Sequence, residues 1–298
     1  MSRLLADYRR GGSWSALARG VTALENARPW DVVEPPPDPS VHVVGITGPP
    51  GVGKSTLTAG LIGAYAASGR RIAVLAVDPS SPLSGGAVLG DRVRMESQLA
   101  GRSDVFVRSI ATRGSQGGLA STTGSIVRLL EASGAFDVIL VETAGAGQTE
   151  LAVARLADTV VLVTVPGLGD GVQTIKAGLL ELADIVVVNM ADRPGASESV
   201  RQHRVTLGRQ TPVLQTVATE GTGIDALRDA LDAAWARMSD EGALATRRAR
   251  TASERALAIA QEWLAECARD EEGDADLDGD VAAWVARLLE EGARRWPR

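Results

Sequence analysis

Soft metal ligands and redox-active side chains are scarce in this chain of 298 residues, which has one cysteine (Cys267) and two histidines (His42 and His203). A single cysteine excludes an intramolecular disulfide framework and points to a reducing compartment, the cytoplasm. With so few thiols and imidazoles, a thiolate or imidazole metal site is not expected. Long apolar runs are also missing. None reaches the roughly 18 residues of a bilayer span, and the N-terminal stretch has no apolar signal core, so no membrane partner is expected. A cationic surplus is absent as well: the formal net charge of −6 argues against nucleic acid as the main partner. The rest is ordinary, 45% hydrophobic and 23% charged. The length suits one large α/β domain with appendages, or two smaller units.

The most informative stretch is Gly48-Pro49-Pro50-Gly51-Val52-Gly53-Lys54-Ser55-Thr56. It completes the pattern G-x-x-x-x-G-K-[S/T]. A β-branched run, 41–47, precedes it, and a helix-like segment, 57–67, follows. In that setting the glycines let backbone N–H groups wrap a polyphosphate. Lys54 supplies a point charge to the β and γ oxygens, and Ser55 offers its hydroxyl to Mg²⁺. The chain is expected to bind a nucleotide.

Short apolar runs recur at 41–47, 71–78, 104–110, 136–142, 159–165, 184–189 and 212–217, with helix-length segments between them. Most are unbroken Val/Ile/Leu, as in strands covered on both faces. The pattern predicts an α/β fold with a doubly wound, mostly parallel sheet. Covering helices are expected at 57–68, 120–132, 149–157, 171–183, 197–209 and 223–238. Residues 1–38 read as a helical N-terminal extension, with Leu17, Val21 and Leu24 at helical spacing, followed by the Pro-rich linker 34–39. Residues 39–240 read as the nucleotide-binding domain. Residues 241–298 read as a helical C-terminal extension with two amphipathic helices, 248–268 and 281–295, either a plain appendage or a dimerisation arm. The acidic turn between them, Asp274-x-Asp276-x-Asp278-Gly279, mimics the start of a calcium loop. Its twelfth position is Val285 instead of a bidentate Glu, so it reads as a solvated turn.

Four stretches narrow the chemistry. Val77-Asp78-Pro79 sets a carboxylate at a strand end beside the phosphate loop, where Mg²⁺ needs a ligand. The glycine-rich stretch 85–92 is long and polar enough for a switch loop, with Asp91 a second metal-shell candidate. Glu142-Thr143-Ala144-Gly145 has the form D-x-x-G with Glu for Asp. Gly145 could present its N–H to a γ-phosphate because no Cβ blocks the approach. Ala146 follows, so no Gln stands next to that glycine to orient water; Gln148 is nearby but displaced, Glu142 is an alternative water-orienting or metal-shell group, and hydrolysis without a partner should be slow. Asn189-Met190-Ala191-Asp192 reads as N-K-x-D with Met for Lys. Asp192 could accept from both N1–H and N2–H₂ of guanine, which adenine cannot satisfy. Val217-Ala218-Thr219 falls where backbone amides would meet guanine O6.

In order and spacing, GPPGVGKST, VDPSSPLSGGAVLGDRVRM, VRSIATRGSQGGLA, FDVILVETAGAGQTE and VPGLGDGVQTIKAGLLELADIVVVNMAD closely resemble the MeaB/ArgK family of P-loop GTPases, over roughly residues 14–240. The resemblance implies a P-loop NTPase fold of the SIMIBI class. It also implies a homodimeric GTPase that uses GTP/GDP and Mg²⁺ and chaperones an adenosylcobalamin-dependent acyl-CoA mutase, chiefly methylmalonyl-CoA mutase, gating cofactor loading and protecting the enzyme. By position it implies that Asp170 and Lys176 form a third switch that relays nucleotide state to the mutase. Met190 for Lys, and Gly171 where an acidic residue is common, depart from the pattern. Two other functions remain open at this point. One is a nickel or cobalt metallochaperone GTPase of the hydrogenase- or urease-maturation type, which would need Cys/His clusters. The other is a nucleotide-bound scaffold with little turnover.

Overall fold

A computed structural model of the chain describes residues 5, 8, 12–78, 104–111, 118–143, 149–167, 177–208, 210–271 and 289–290. All seven apolar runs are strands: β1 (His42–Thr47), β2 (Ile72–Asp78), β3 (Val105–Ala111), β4 (Val138–Thr143), β5 (Thr159–Thr164), β6 (Ile185–Val188) and β7 (Val213–Gln215). They form one sheet in the order β3-β2-β4-β1-β5-β6-β7, and every pairing between them is parallel. Parallel neighbours need crossover helices, which cover both faces and make the strands apolar throughout. β1, β4 and β5 are buried at every position.

The pleat divides the core between the two faces. Val43, Ile139 and Val141 join Leu17, Val21 and Leu24 of α1 (Trp14–Asn26) and Ile126 and Leu130 of α3 (Gly118–Ser133). Val44, Ile46 and Leu140 face the other way, onto Leu57 and Leu61 of α2 (Lys54–Ala67) and Leu227 and Leu231 of α7 (Ile224–Asp240). Under α4 (Thr149–Leu156), α5 (Ala177–Leu182) and α6 (Ala196–Leu207), Val160, Leu162, Val186 and Val188 form a further, smaller cluster. The Leu17/Val21/Leu24 stripe thus does what its spacing predicts. Ser13 caps that helix by accepting from the Ser15 N–H at 3.2 Å.

Two elements differ from expectation for local reasons. β7 stops at Gln215 because Val217 turns away to bridge Thr222 in antiparallel fashion. The first C-terminal helix is longer than 248–268: α8 runs Ala243–Glu271, a stretch with no glycine or proline to end it. The second expected helix and the acidic turn at 274–285 fall outside the described residues, apart from helical residues 289–290.

α8 is fastened at the N-terminal ends of the central strands β1 and β5. Arg248 donates to Asp158 from Nε (2.8 Å) and Nη2 (2.7 Å), and to the carbonyls of Asp38 (2.7 Å) and Val41 (2.8 Å). Its Nη2 lies 3.4 Å from the fully buried Glu131, which Arg128 also pairs. Its guanidinium sits over the Trp235 ring at 5.7 Å, and Trp235 stacks on buried His42 at 4.6 Å. Burial drives the His42 pKa down to about 3, so that ring is neutral at physiological pH.

Candidate functional site

The C-terminal ends of five neighbouring strands, β4-β1-β5-β6-β7, meet where the sheet's connections reverse direction. In open α/β sheets ligands bind at that switch point. The phosphate loop leaves β1 here. Gly48 has φ +142°, and a Cβ on it would stand 2.2 Å from the Val163 carbonyl oxygen of β5. Gly53 has φ +87°, and a Cβ there would stand 2.5 Å from Asn189 Nδ2. Only glycine lets the loop pass that close to two strands. Gly53 is the N-cap of α2, with its carbonyl accepting from Leu57 N–H at 2.9 Å. The amides of Lys54, Ser55 and Thr56 therefore open the helix and have no intrahelical acceptor, an arrangement suited to an anion.

Lys54 is buried, and its ammonium donates to the carbonyls of Gly48 (2.7 Å) and Pro49 (2.8 Å), which holds it across the loop. Pro50, Gly51 and Thr56 are exposed, whereas Val52 is buried. Ser55 Oγ donates to Glu142 Oε1 at 2.5 Å. Ser55 and Glu142 are 87 positions apart, and neither was paired with the other in the sequence reading. Glu142, the penultimate residue of β4, lies beside Ile46 of β1 and is 3% exposed. A hydroxyl and a carboxylate this close make a hard oxygen pair next to the phosphate cradle, and such donors suit Mg²⁺. Asp78 ends β2, register-paired with Ala111. Its side chain, and all of Asp91, Gly145, Gln148, Asp170 and Lys176, lie outside the described residues.

On the base side the structure adds a partner that the motif did not reveal. Asn189 is 2% exposed, and its side chain makes three protein bonds. Its Nδ2 donates to the Val52 carbonyl of the phosphate loop (2.8 Å), and its Oδ1 accepts from Thr216 Oγ1 (2.9 Å) and Ala218 N–H (3.1 Å). In this structure Asn189 is thus a brace between phosphate loop and base loop. Met190 follows with φ +55°, the sole positive φ outside glycine among the described residues. That turn leaves Asp192 exposed, with no described hydrogen-bond or ion-pair partner. Of the three amides expected near guanine O6, Val217 N–H bonds the Thr222 carbonyl (3.0 Å) and Ala218 N–H bonds Asn189, so exposed Thr219 is the one whose amide makes no described bond. Thr216, fully buried, was missed because nothing in its local sequence marks it.

A concavity of about 840 Å³ lies elsewhere, between the proline linker (Pro35 to Pro39) and α8. None of its lining residues belongs to the phosphate loop or the base motif. The site is therefore assigned by its chemistry and not by its volume.

Comparison with known proteins agrees with this geometry. The family model described as methylmalonyl Co-A mutase-associated GTPase MeaB matches residues 17–272. A Pyrococcus horikoshii protein provisionally named a GTPase is 44% identical over 258 residues, 82% of this chain and 81% of its own. The mouse protein named methylmalonic aciduria type A homolog, mitochondrial, is 38% identical over 221 residues, 70% of this chain and 53% of its own. Among solved structures, one of a LAO/AO transport system kinase aligns with a TM-score of 0.69 over 97% of this chain and 96% of its own. At 24% identity it speaks for the fold alone. Since the family model spans well over half of its length, the chain belongs to the MeaB family of methylmalonyl-CoA mutase-associated GTPases.

Proposed function

We propose that this protein is a slow, Mg²⁺-dependent GTPase that chaperones an adenosylcobalamin-dependent acyl-CoA mutase, such as methylmalonyl-CoA mutase, as a cytoplasmic homodimer. It would assist assembly and cofactor loading and protect the enzyme from inactivation. The supporting observation is the Asn189 brace, which bonds the phosphate loop at Val52 and the base loop at Thr216 and Ala218 in one buried cluster. The family membership points the same way.

In this reading Lys54 releases the two loop carbonyls and turns its ammonium to the β and γ oxygens of GTP. The amides that open α2 hold the same anion. Ser55, Glu142, Asp78 and Asp91 would hold Mg²⁺, which supplies charge neutralisation to the phosphates when bound. Asp192 accepts from guanine N1–H and N2–H₂, with Asn189 and the 217–219 loop on the other edge of the base. Met190 packs its thioether against the purine face in place of the usual lysine. Glu142 is drawn toward the metal side by its bond to Ser55, which leaves Gln148 and the Gly145 amide as the candidates near the attacked phosphoryl group. Slow turnover follows from having no glutamine directly after Gly145. Asp170 and Lys176 would pass the nucleotide state to the mutase. Residues 39–240 would be the GTPase unit, with helical extensions 1–38 and 241–298.

The test is GTP hydrolysis with and without a panel of purified cobalamin-dependent acyl-CoA mutases. A basal rate that rises with one of them is expected, because a bound partner would order the switches. A rate indifferent to every mutase would refute the chaperone role. A metallochaperone role would need Cys/His clusters near the switches, and the sequence supplies one cysteine and two histidines.

A further inference from the structure

We propose that Met190 is an oxidation site through which a peroxide switches guanine-nucleotide binding off, and that bound nucleotide shields it. The inference rests on the guanine-nucleotide reading above and deepens it by naming a way in which that site is regulated.

Peroxides act on thiols and thioethers. The one thiol of this chain, Cys267, is buried and packed with Trp263, and a cysteine in such surroundings is inert. Of the four methionines, Met190 and Met238 are among the described residues, and both are half-buried. Met238 lies in the last turn of α7, whereas Met190 follows β6 inside the base motif. Its backbone is held on both sides. Asn189 N–H donates to the Thr164 carbonyl (2.8 Å), Ala191 N–H to the Thr216 carbonyl (3.0 Å), and Arg193 N–H to the Met190 carbonyl itself (3.0 Å). With φ at +55°, the side chain leaves this turn toward the phosphate loop: Met190 Cε lies 3.8 Å from where a Cβ on Gly53 would be. The thioether thus stands beside the cradle, on the face assigned above to the purine. Lysine, the usual residue here, carries no sulfur, so the change to methionine brings an oxidisable atom into the pocket.

Hydrogen peroxide supplies the oxygen. The Sδ lone pair attacks one peroxide oxygen, the O–O bond breaks, an S–O bond forms, and the other oxygen leaves as water. Sulfur loses two electrons and the peroxide gains them. The product is a polar, chiral sulfoxide where an apolar thioether packed against the base, and a polar group buried there without a donor weakens binding. A purine seated on the thioether covers it, so an occupied site is oxidised more slowly than an empty one.

The test treats wild type, M190L and M238L, each as the full chain, with hydrogen peroxide in the presence and absence of GDP. Peptide mass spectrometry locates the added oxygen, and fluorescent GDP binding is measured once oxidant and nucleotide are removed. Met190 should gain one oxygen in the nucleotide-free protein. Treated wild type should then bind GDP about tenfold more weakly, with its far-UV circular dichroism unchanged. GDP present during treatment should slow oxidation of Met190 by about fivefold or more and leave that of Met238 unaltered. M238L should lose affinity as wild type does. M190L should keep, within about twofold, whatever affinity it has before treatment, because leucine offers no sulfur. Methionine sulfoxide reductases for both sulfoxide epimers should restore the treated wild type. The proposal is overturned if Met190 stays unmodified under conditions that oxidise Met238, if its sulfoxide leaves GDP affinity unchanged, or if M190L loses as much as wild type. It is equally overturned if GDP gives Met190 no protection or if the loss tracks unfolding. Wild-type protein binding ADP as tightly as GDP would instead sink the guanine reading itself, a result visible before any oxidant is added.

Discussion

Replacing Arg248 with methionine removes a charge and keeps most of the volume. The guanidinium satisfies both oxygens of Asp158 and two backbone carbonyls, and it stands 3.4 Å from Glu131. Asp158 is 3% exposed and Glu131 fully buried, so R248M leaves Asp158 buried without a cation, with only the Val43 N–H donating to it, and leaves Glu131 to Arg128 alone. Breaking a buried pair on one side costs about 3–5 kcal/mol. At about 2–4 °C per kcal/mol for chains of this size, that lowers Tm by roughly 6–20 °C. The loss should also depend on pH. Burial raises the Glu131 pKa from its ordinary 4.5 to about 6, against the opposing pull of Arg128 and Arg248. A carboxyl whose folded pKa lies above its unfolded value binds more protons when folded, so its contribution to stability falls as pH rises through that window. Removing Arg248 removes a cation that holds the value down, and the window moves upward. The deficit of R248M relative to wild type should therefore be larger at pH 8 than at pH 5.5. Thermal unfolding followed by circular dichroism at both pH values measures it. A deficit under about 3 °C at pH 8, or one that does not shrink on acidification, would refute the claim that Arg248 offsets buried carboxylates.

G53A puts a Cβ 2.5 Å from Asn189 Nδ2 at a φ of +87°. The left-handed conformation alone costs about 1–2 kcal/mol, so fluorescent GDP binding should weaken by roughly tenfold or more. E142Q keeps the size of the side chain that accepts from Ser55 Oγ but removes its charge. GDP titrations with and without Mg²⁺ should show the metal's contribution to affinity falling several-fold, with metal-free affinity little changed; an unaltered Mg²⁺ dependence would remove Glu142 from the metal shell.

The seven strands were legible because a sheet covered on both faces leaves each strand as a short apolar run, and such runs are local in sequence. The phosphate loop was legible for the same reason: its glycines, lysine and serine are contiguous. What escaped were pairings between distant positions. Ser55 meets Glu142 across 87 residues, Asn189 meets Thr216 across 27, and Arg248 meets Asp158 across 90. None leaves a periodic trace. Asn189 shows the limit most clearly, since the motif named it as a nucleotide contact and the fold adds its bond to the phosphate loop.

The whole account rests on Asp192 reading the edge of a guanine, and direct binding of GDP, ADP and xanthosine diphosphate to wild type and D192N tests that most directly. Wild type should prefer GDP over ADP by on the order of 100-fold or more, because adenine offers the carboxylate no matching donors. D192N should lose GDP affinity by roughly tenfold or more and gain xanthosine diphosphate, whose O2 accepts from the new amide. Equal affinity of wild type for ADP and GDP, or a D192N profile identical to wild type, would contradict it.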